Sequence, residues 1–292
     1  MGRKWLIIIL VLALFVGGFF FRAPKMAHIQ LPAEKVFEVG GFPVVNTMLS
    51  TWVTMVVLLV LAWLGTRRIR EVPGRLQSLL EVAVEAWIGL VESVAGPAKG
   101  RRFFTIVASI FLFILVNNWL GLFPFFGSLG FWEAAEAGKE AAAEAAHAAE
   151  AEPLFVPLLR SASTDLNTTI ALALVSVALT QVYGVQHLGF GSYAAKFVNL
   201  RGGPIGLFVG VLELVSEFAK IISLSFRLFG NMFAGEVLLA TMAFLIPWVA
   251  SVPFMGLELF VGLMQAFVFA ILTLVFMTMA TTSHEEHAES HH

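Results

Sequence analysis

Six stretches of this chain are predominantly apolar: 5–21, 47–66, 103–123, 166–186, 205–247 and 254–281. A helix rises ~1.5 Å per residue and a bilayer's hydrocarbon core is ~30 Å thick, so about 20 apolar residues make one crossing. The runs predict an all-α polytopic membrane protein of about six hydrophobic helices, with 1–292 forming a single membrane domain. Composition agrees: 59% of residues are hydrophobic and 13% charged, whereas soluble domains are nearer one half and one quarter. A net charge of −2 offers nothing to nucleic acid. The absence of cysteine excludes disulfides, thiolate metal sites and thiol nucleophiles.

The first run, 5–21, follows Arg3 and Lys4 and has the look of either a signal sequence or a span. Its flank, Arg22-Ala-Pro-Lys25, lacks a small-x-small cleavage site, so a retained span is the preferred reading. Orientation follows the basic residues. Arg67, Arg68, Arg70, Arg75, Lys99, Arg101 and Arg102 mark 67–102 as cytoplasmic, whereas the loop 124–165, with only Lys139 and Arg160, belongs outside. Counting crossings places Lys196, Arg201 and the C-terminus inside.

Between the second and third runs, Leu76, Leu79, Leu80, Ala83, Trp87, Leu90 and Val91 keep helical spacing among glutamates. This predicts an amphipathic interfacial helix over 74–97. The outer loop carries a low-complexity Ala/Glu arm, 132–153, whose plain reading is a solvated helix or arm without chemistry. The run 205–247 would extend ~64 Å as one helix, twice the hydrocarbon thickness. Crossing parity favours one long tilted element, so 205–281 becomes a helical hairpin.

The spans 47–66 and 103–123 hold no ionisable residue, but the C-terminal hairpin holds Glu213, Glu217, Lys220, Arg227, Glu236 and Glu258. Each would cost roughly 2.5–3.5 kcal/mol facing lipid at mid-membrane. These groups therefore face protein or water and mark an ion or substrate route. Glu213, Ser216, Lys220, Ser223, Arg227 and Asn231 fall within about 40° of one line along the helix. On the following helix Glu258, Gly262 and Gln265 share a face. Glu217 lies about 80° off the stripe, open to a role as channel wall or as an interhelix pair.

Arg227 has Ser223, Leu224, Gly230 and Asn231 as its i±3 and i±4 neighbours, none acidic. A buried cation needs a carboxylate, so the expectation is an acid from another chain or Glu258. Gly230, Ala234 and Gly235 allow close approach of a neighbouring helix, within the chain or from another subunit. Measured from a turn near Pro247–Pro253, Glu236 and Glu258 both fall on the outer part of the hairpin. Two carboxylates there suggest a pair sharing one exchangeable proton. Asp165 and Asn167 open a span, where helix capping is their plain role. The tail 283–292, with four histidines, reads as a solvated acidic segment rather than a metal site.

The stretch Ser223-Leu-Ser-Phe-Arg-Leu-Phe-Gly-Asn-Met-Phe-Ala-Gly-Glu236 closely resembles the signature of subunit a of F-type ATP synthases, bacterial type. Asn118-Trp-Leu-Gly-Leu-Phe-Pro124, Thr164-Asp-Leu-Asn-Thr-Thr169 and Gln265-Ala-Phe-Val-Phe269 extend the resemblance over most of the chain. It implies a multi-pass protein of the bacterial plasma (inner) membrane that is a stator subunit and not itself catalytic. Its hairpin would lie against the rotating c-ring, with peripheral stalk b subunits as further partners. The resemblance also implies that Arg227 faces the ring carboxylate between two offset half-channels. Glu213, Lys220, Ser223, Asn231, Glu236, Glu258 and Gln265 would lie near the ion path. The resemblance implies H+ as the transported ion, with Na+ as the alternative, because the choice resides largely in the ring carboxylate; no cofactor is implied. Position 258 is Glu where many bacterial relatives carry His, Lys220 is followed by Ile221 where many carry Pro, and the first span and the Ala/Glu arm look like additions.

Arginine fits such a role physically, because it keeps its charge where a buried lysine readily loses its proton. A stand-alone ion-coupled secondary transporter is the alternative. Such proteins show paired halves with matching broken helices, and here the intramembrane charge has no upstream counterpart. No phosphate loop is present, so nucleotide chemistry belongs to other chains.

Overall fold

A computed structural model describes residues 32–67, 74–123, 126–127, 129–133, 154–197, 203–245 and 251–282. The run 5–21, nearly all of the Ala/Glu arm and the histidine-bearing tail lie outside the described residues. The elements are β1 (Lys35–Val39), β2 (Phe42–Val45), α1 (Asn46–Thr66), α2 (Arg75–Ala95), α3 (Pro97–Gly121), β3 (Gly130–Glu133), β4 (Leu154–Pro157), a 3-10 turn (Ala162–Thr164), α4 (Leu166–Leu188), α5 (Phe190–Phe197), α6 (Gly203–Leu245) and α7 (Ser251–Ala280). Among the described residues, α1, α3, α4 and the stretch Val252–Ala280 of α7 are long and apolar enough to cross a membrane. The 43-residue α6 is continuous.

Two antiparallel β-hairpins interrupt the helical pattern. β1 pairs with β2 across Gly40-Gly41, both at positive φ (60° and 87°), the backbone that a two-residue hairpin turn requires. β3 pairs with β4 at the base of the Ala/Glu arm. Between α2 and α3, Gly96 at φ 77° closes the first helix by donating to the Glu92 carbonyl, and Pro97 opens the second. Helix α3 therefore begins six residues before the apolar run at 103, taking Lys99, Arg101 and Arg102 into its first turns.

The chain divides into two compact units. The first comprises Met1–Thr54, Asn117–Asp165 and Asn231–Gly262. Its part of α1 is amphipathic in reverse: Asn46, Thr47, Ser50 and Thr54 are buried, whereas Trp52 faces outward. Buried polar groups need partners, and these have them. Thr47 donates to Asp165 (2.9 Å), Thr54 to Asn117 (3.4 Å), and the Arg160 amide donates to Ser50 Oγ (3.0 Å). The chain continues inward from Asn117 Nδ2 to Ser163 Oγ (2.8 Å), from that hydroxyl to Asn118 Oδ1 (2.7 Å), and from Asn118 Nδ2 to the Gly262 carbonyl on α7 (3.1 Å).

The second unit comprises Met55–Val116, Leu166–Gly230 and Leu263–His292. Trp87 of the amphipathic α2 packs at a tilt against Phe111 of α3 and Phe267 of α7, with ring centroids 4.4 and 5.9 Å apart. Val91, one turn on, is buried. Ser176 on α4 and Thr273 on α7 share a buried hydrogen bond of 2.8 Å. Gly184 gives Tyr193 its place, since a Cβ there would lie 2.4 Å from the ring.

Candidate functional site

In the first unit the ends of α3, α6 and α7 and the segment before α4 border a partly open cavity of about 190 Å³. Its charged lining is Arg160, Glu236 and Glu258, joined by Asn118, Ser161 and Thr164. Arg160 is only 6% exposed and grips Glu236 as a fork: Nε lies 3.0 and 3.2 Å from the two carboxylate oxygens and Nη2 3.0 Å from Oε2. Its Nη1 reaches the Pro32 carbonyl at 3.4 Å. Planar bidentate geometry makes this the strong form of an ion pair, fixing position as well as charge.

Glu258 is 4% exposed. Among the described residues its carboxyl group has no hydrogen-bond or ion-pair partner. It lies across Gly235 of α6, where a built Cβ would stand 2.1 Å from Oε2. The expected proton-sharing pair of Glu236 and Glu258 is therefore revised. Both acids line one cavity, but Glu236 is engaged by Arg160.

The second unit holds a separate set of charges on α5 and α6. Lys196 pairs with Glu213 at 2.6 Å, and Lys220 with Glu217 at 2.7 Å. Lys220 Nζ also lies 5.1 Å above the Phe276 ring, within cation–π range. Glu217 is 8% exposed and its Oε2 is buried without a partner among the described residues. Its pairing is thus with its own helix, not the interhelix pair considered from the sequence. Tyr193 on α5 donates to Gln181 on α4. Burial, and then the negative charges of Glu217 and Glu213, push its phenol up to about 12.

Arg227 is exposed in the chain alone, and its Nη2 donates to Ser223 Oγ at 3.3 Å. Ser216, Ser223 and Asn231 are exposed, while Leu224 and Leu228 are buried. The polar stripe therefore borders an open face of α6 flanked by Phe218, Ile222 and Phe226. Gln265 on α7 is half-buried. The expected site residues thus fall in two sets: Asn231, Glu236 and Glu258 belong to the first unit, and Glu213, Lys220, Ser223, Arg227 and Gln265 to the second.

Sequence reasoning passed over two participants, Arg160 and Lys196, counting them only as loop charges. For Arg160 a signal was present. In a loop otherwise poor in basic residues, it stands five residues before Asp165, at the start of a predicted span.

Long apolar helices, four of them able to cross a membrane among the described residues, define a polytopic membrane protein. The sequence matches the family described as ATP synthase A chain over residues 48–278. It is 31% identical to ATP synthase subunit a of Moorella thermoacetica over 259 residues, 89% of this chain and 100% of the relative. The subunit a of Gloeobacter violaceus is 32% identical over 265 residues, 90% of this chain and 95% of the relative. That of Desulforamulus reducens is 31% identical over 265 residues, 87% and 86% respectively. The chain belongs to the ATP synthase A chain family.

Proposed function

We propose that the chain is the proton-translocating stator subunit of a rotary F-type ATP synthase in a bacterial inner membrane, with its C-terminus cytoplasmic. The observation that carries this reading is a fixed cation, Arg227, on an open face midway along the 43-residue α6 of a chain of this family. A permanent positive charge favours the ionised form of an acid that approaches it. Facing a rotor c-ring, Arg227 would draw a proton from each ring carboxylate as it arrives and bar protons from crossing directly.

Two half-channels complete the mechanism. The first unit's cavity, with Glu258 in its wall and Glu236 fixed beside it, supports an outer half-channel delivering protons to the ring. Glu213, Lys196, Glu217 and Lys220 of the second unit support a cytoplasmic half-channel. Asn231, Ser223 and Gln265 would solvate the region around Arg227. Glu213 and Lys220 follow the chain's inner loop, where the basic residues place the cytoplasm. Nucleotide chemistry would take place in other subunits, and b subunits would hold the stator against the turning ring.

The test is reconstitution of the whole complex in vesicles. Wild type should co-purify with a c-ring and couple a proton gradient to ATP synthesis, and Arg227→Ala should assemble but not couple. A chain that transports ions alone, without a ring, would instead support the secondary-transporter reading.

A further inference from the structure

We infer that Arg160 is a positioning residue for the ion path, and that its grip makes Glu236 a fixed counter-charge and leaves Glu258 as the proton-exchanging acid of the cavity. The inference rests on the function proposed above but divides its residues in a way the function does not require.

The division comes from hydrogen-bond occupancy. Glu236 has both carboxylate oxygens committed, each accepting from a guanidinium that is itself nearly enclosed. Arg160 cannot easily release it. Its backbone amide is tied to Ser50, its Nη1 to Pro32, and the turn that follows it is anchored through Ser163 to Asn117 and Asn118. Glu236 is one-third exposed but Arg160 is buried, so taking the carboxylate away leaves the guanidinium uncompensated, which costs far more than the pair contributes. An acid held this way is a poor carrier, because each protonation would break the fork and strand a guanidinium.

Glu258 stands in the opposite condition. It faces the same cavity, and none of its oxygens is taken by a described residue. Its carboxyl lies against the bare Cα of Gly235, so neither backbone nor side chain competes for it. The cavity is roomy and polar enough for water to reach it. Uptake and release of a proton there break no protein–protein bond. The neighbouring amide, Asn118, is already engaged at both ends by Ser163 and Gly262. The ion pair would therefore shape the cavity wall while the proton passes through Glu258.

The experiment uses the complete complex in vesicles, with ATP-driven proton pumping measured per assembled complex, assembly being judged from subunit content. Arg160→Gln and Glu236→Gln should each depress pumping strongly. The double variant, which replaces the ion pair with two amides able to bond each other, should recover to at least about tenfold above either single variant. Adding Glu258→Gln to the double variant should abolish what was recovered. A merely structural role for Glu258 would not give this last loss in assembled complex. A double variant no better than Glu236→Gln overturns the inference, whether it fails to assemble or assembles and does not pump. So does a triple variant that still pumps. Arg227→Ala, run alongside, separates the two levels: pumping retained there sinks the proposed function, whereas the cycle at 160 and 236 bears only on the division of roles.

Discussion

The Glu258 carboxyl group occupies the space above Gly235 that any side chain at position 235 would fill, with Oε2 2.1 Å from where a Cβ would stand. The absence of a side chain on α6 thus sets the place of an acid on α7. We predict that Gly235→Ala displaces the Glu258 carboxylate while leaving the helix intact, since alanine favours helix. Misplacing a reacting group by about 1 Å costs as much as a hundredfold in rate, so a ten- to hundredfold fall in proton pumping is expected. Glu258→Asp, one methylene shorter, should restore part of it in the double variant. Unchanged pumping in Gly235→Ala would show that the close approach is immaterial.

A second prediction concerns Arg227. Its exposure on α6 and its mid-helix position point to a charge role and not a packing role. Arg227→Ala is expected to insert and assemble in normal amounts yet lose gradient-driven ATP synthesis. Arg227→Lys should fail as well, because lysine surrenders its proton in a dry site. Normal coupled synthesis by either variant would contradict the role.

Much of this architecture was legible in the sequence because helices in lipid announce themselves by length and apolarity. The expected run 47–66 and helix Asn46–Thr66 differ by one residue, and 166–186 lies inside Leu166–Leu188. Amphipathic spacing likewise revealed α2. The hairpins were missed because their strands are short and lie between stronger signals, though Gly40-Gly41 was a readable turn. Arg160 was missed for a different reason. Helical periodicity relates residues on one element, and Arg160 meets Glu236 from 76 positions away on a loop. The same limit explains why Glu236 was matched with Glu258, which the turn near Pro247–Pro253 puts on the same outer part of the hairpin, and not with a cation from another segment.

Sidedness supplies a third prediction. Cysteines can be placed singly, because the chain has none of its own. Ser216 is exposed, while Glu213 is partly covered and bound to Lys196 at 2.6 Å. Ser216→Cys and Glu213→Cys should both react with an impermeant thiol reagent added from the cytoplasmic side, position 216 the faster. Labelling of both only from the outer side would reverse the topology.

Tyr193 supplies a fourth, testable by tyrosinate absorbance as the difference between wild-type and Tyr193→Phe complexes. Burial beside Glu217 and Glu213 pushes the phenol up to about 12, whereas an unfolded tyrosine ionises near pH 10. The difference signal should therefore rise only around pH 12. For stability the sign follows from proton binding: between pH 10 and 12 the unfolded chain binds fewer protons at this residue. The stabilisation from the neutral phenol is complete below pH 10 and lost as pH rises toward 12. Replacing Glu217 with Gln should move the rise to lower pH, and a wild-type rise at pH 10 would mean the phenol is not enclosed.

Two serines two residues apart provide the sharpest contrast in the first unit. Ser163 Oγ accepts from Asn117 at 2.8 Å and donates to Asn118 at 2.7 Å, joining two buried amides whose other ends bond Thr54 and the Gly262 carbonyl. Ser161 Oγ, by contrast, is buried with no hydrogen-bond partner among the described residues. Leaving a buried polar group unsatisfied costs about 1–3 kcal/mol, while deleting one already unsatisfied removes a penalty. Ser163→Ala strands an amide N–H and an amide carbonyl together and should clearly lower the temperature at which the detergent-solubilised complex loses subunit a. Ser161→Ala should leave that temperature unchanged or raise it slightly. The Ser161 side chain lies against Gly121, so its Cβ must stay to keep the packing, and alanine keeps it. Because Asn118 also holds the Gly262 carbonyl of α7, Ser163→Ala should loosen the wall carrying Glu258 and reduce pumping as well as stability. Equal effects of the two substitutions would mean that the hydrogen-bond chain through Ser163 does not hold this part of the protein together.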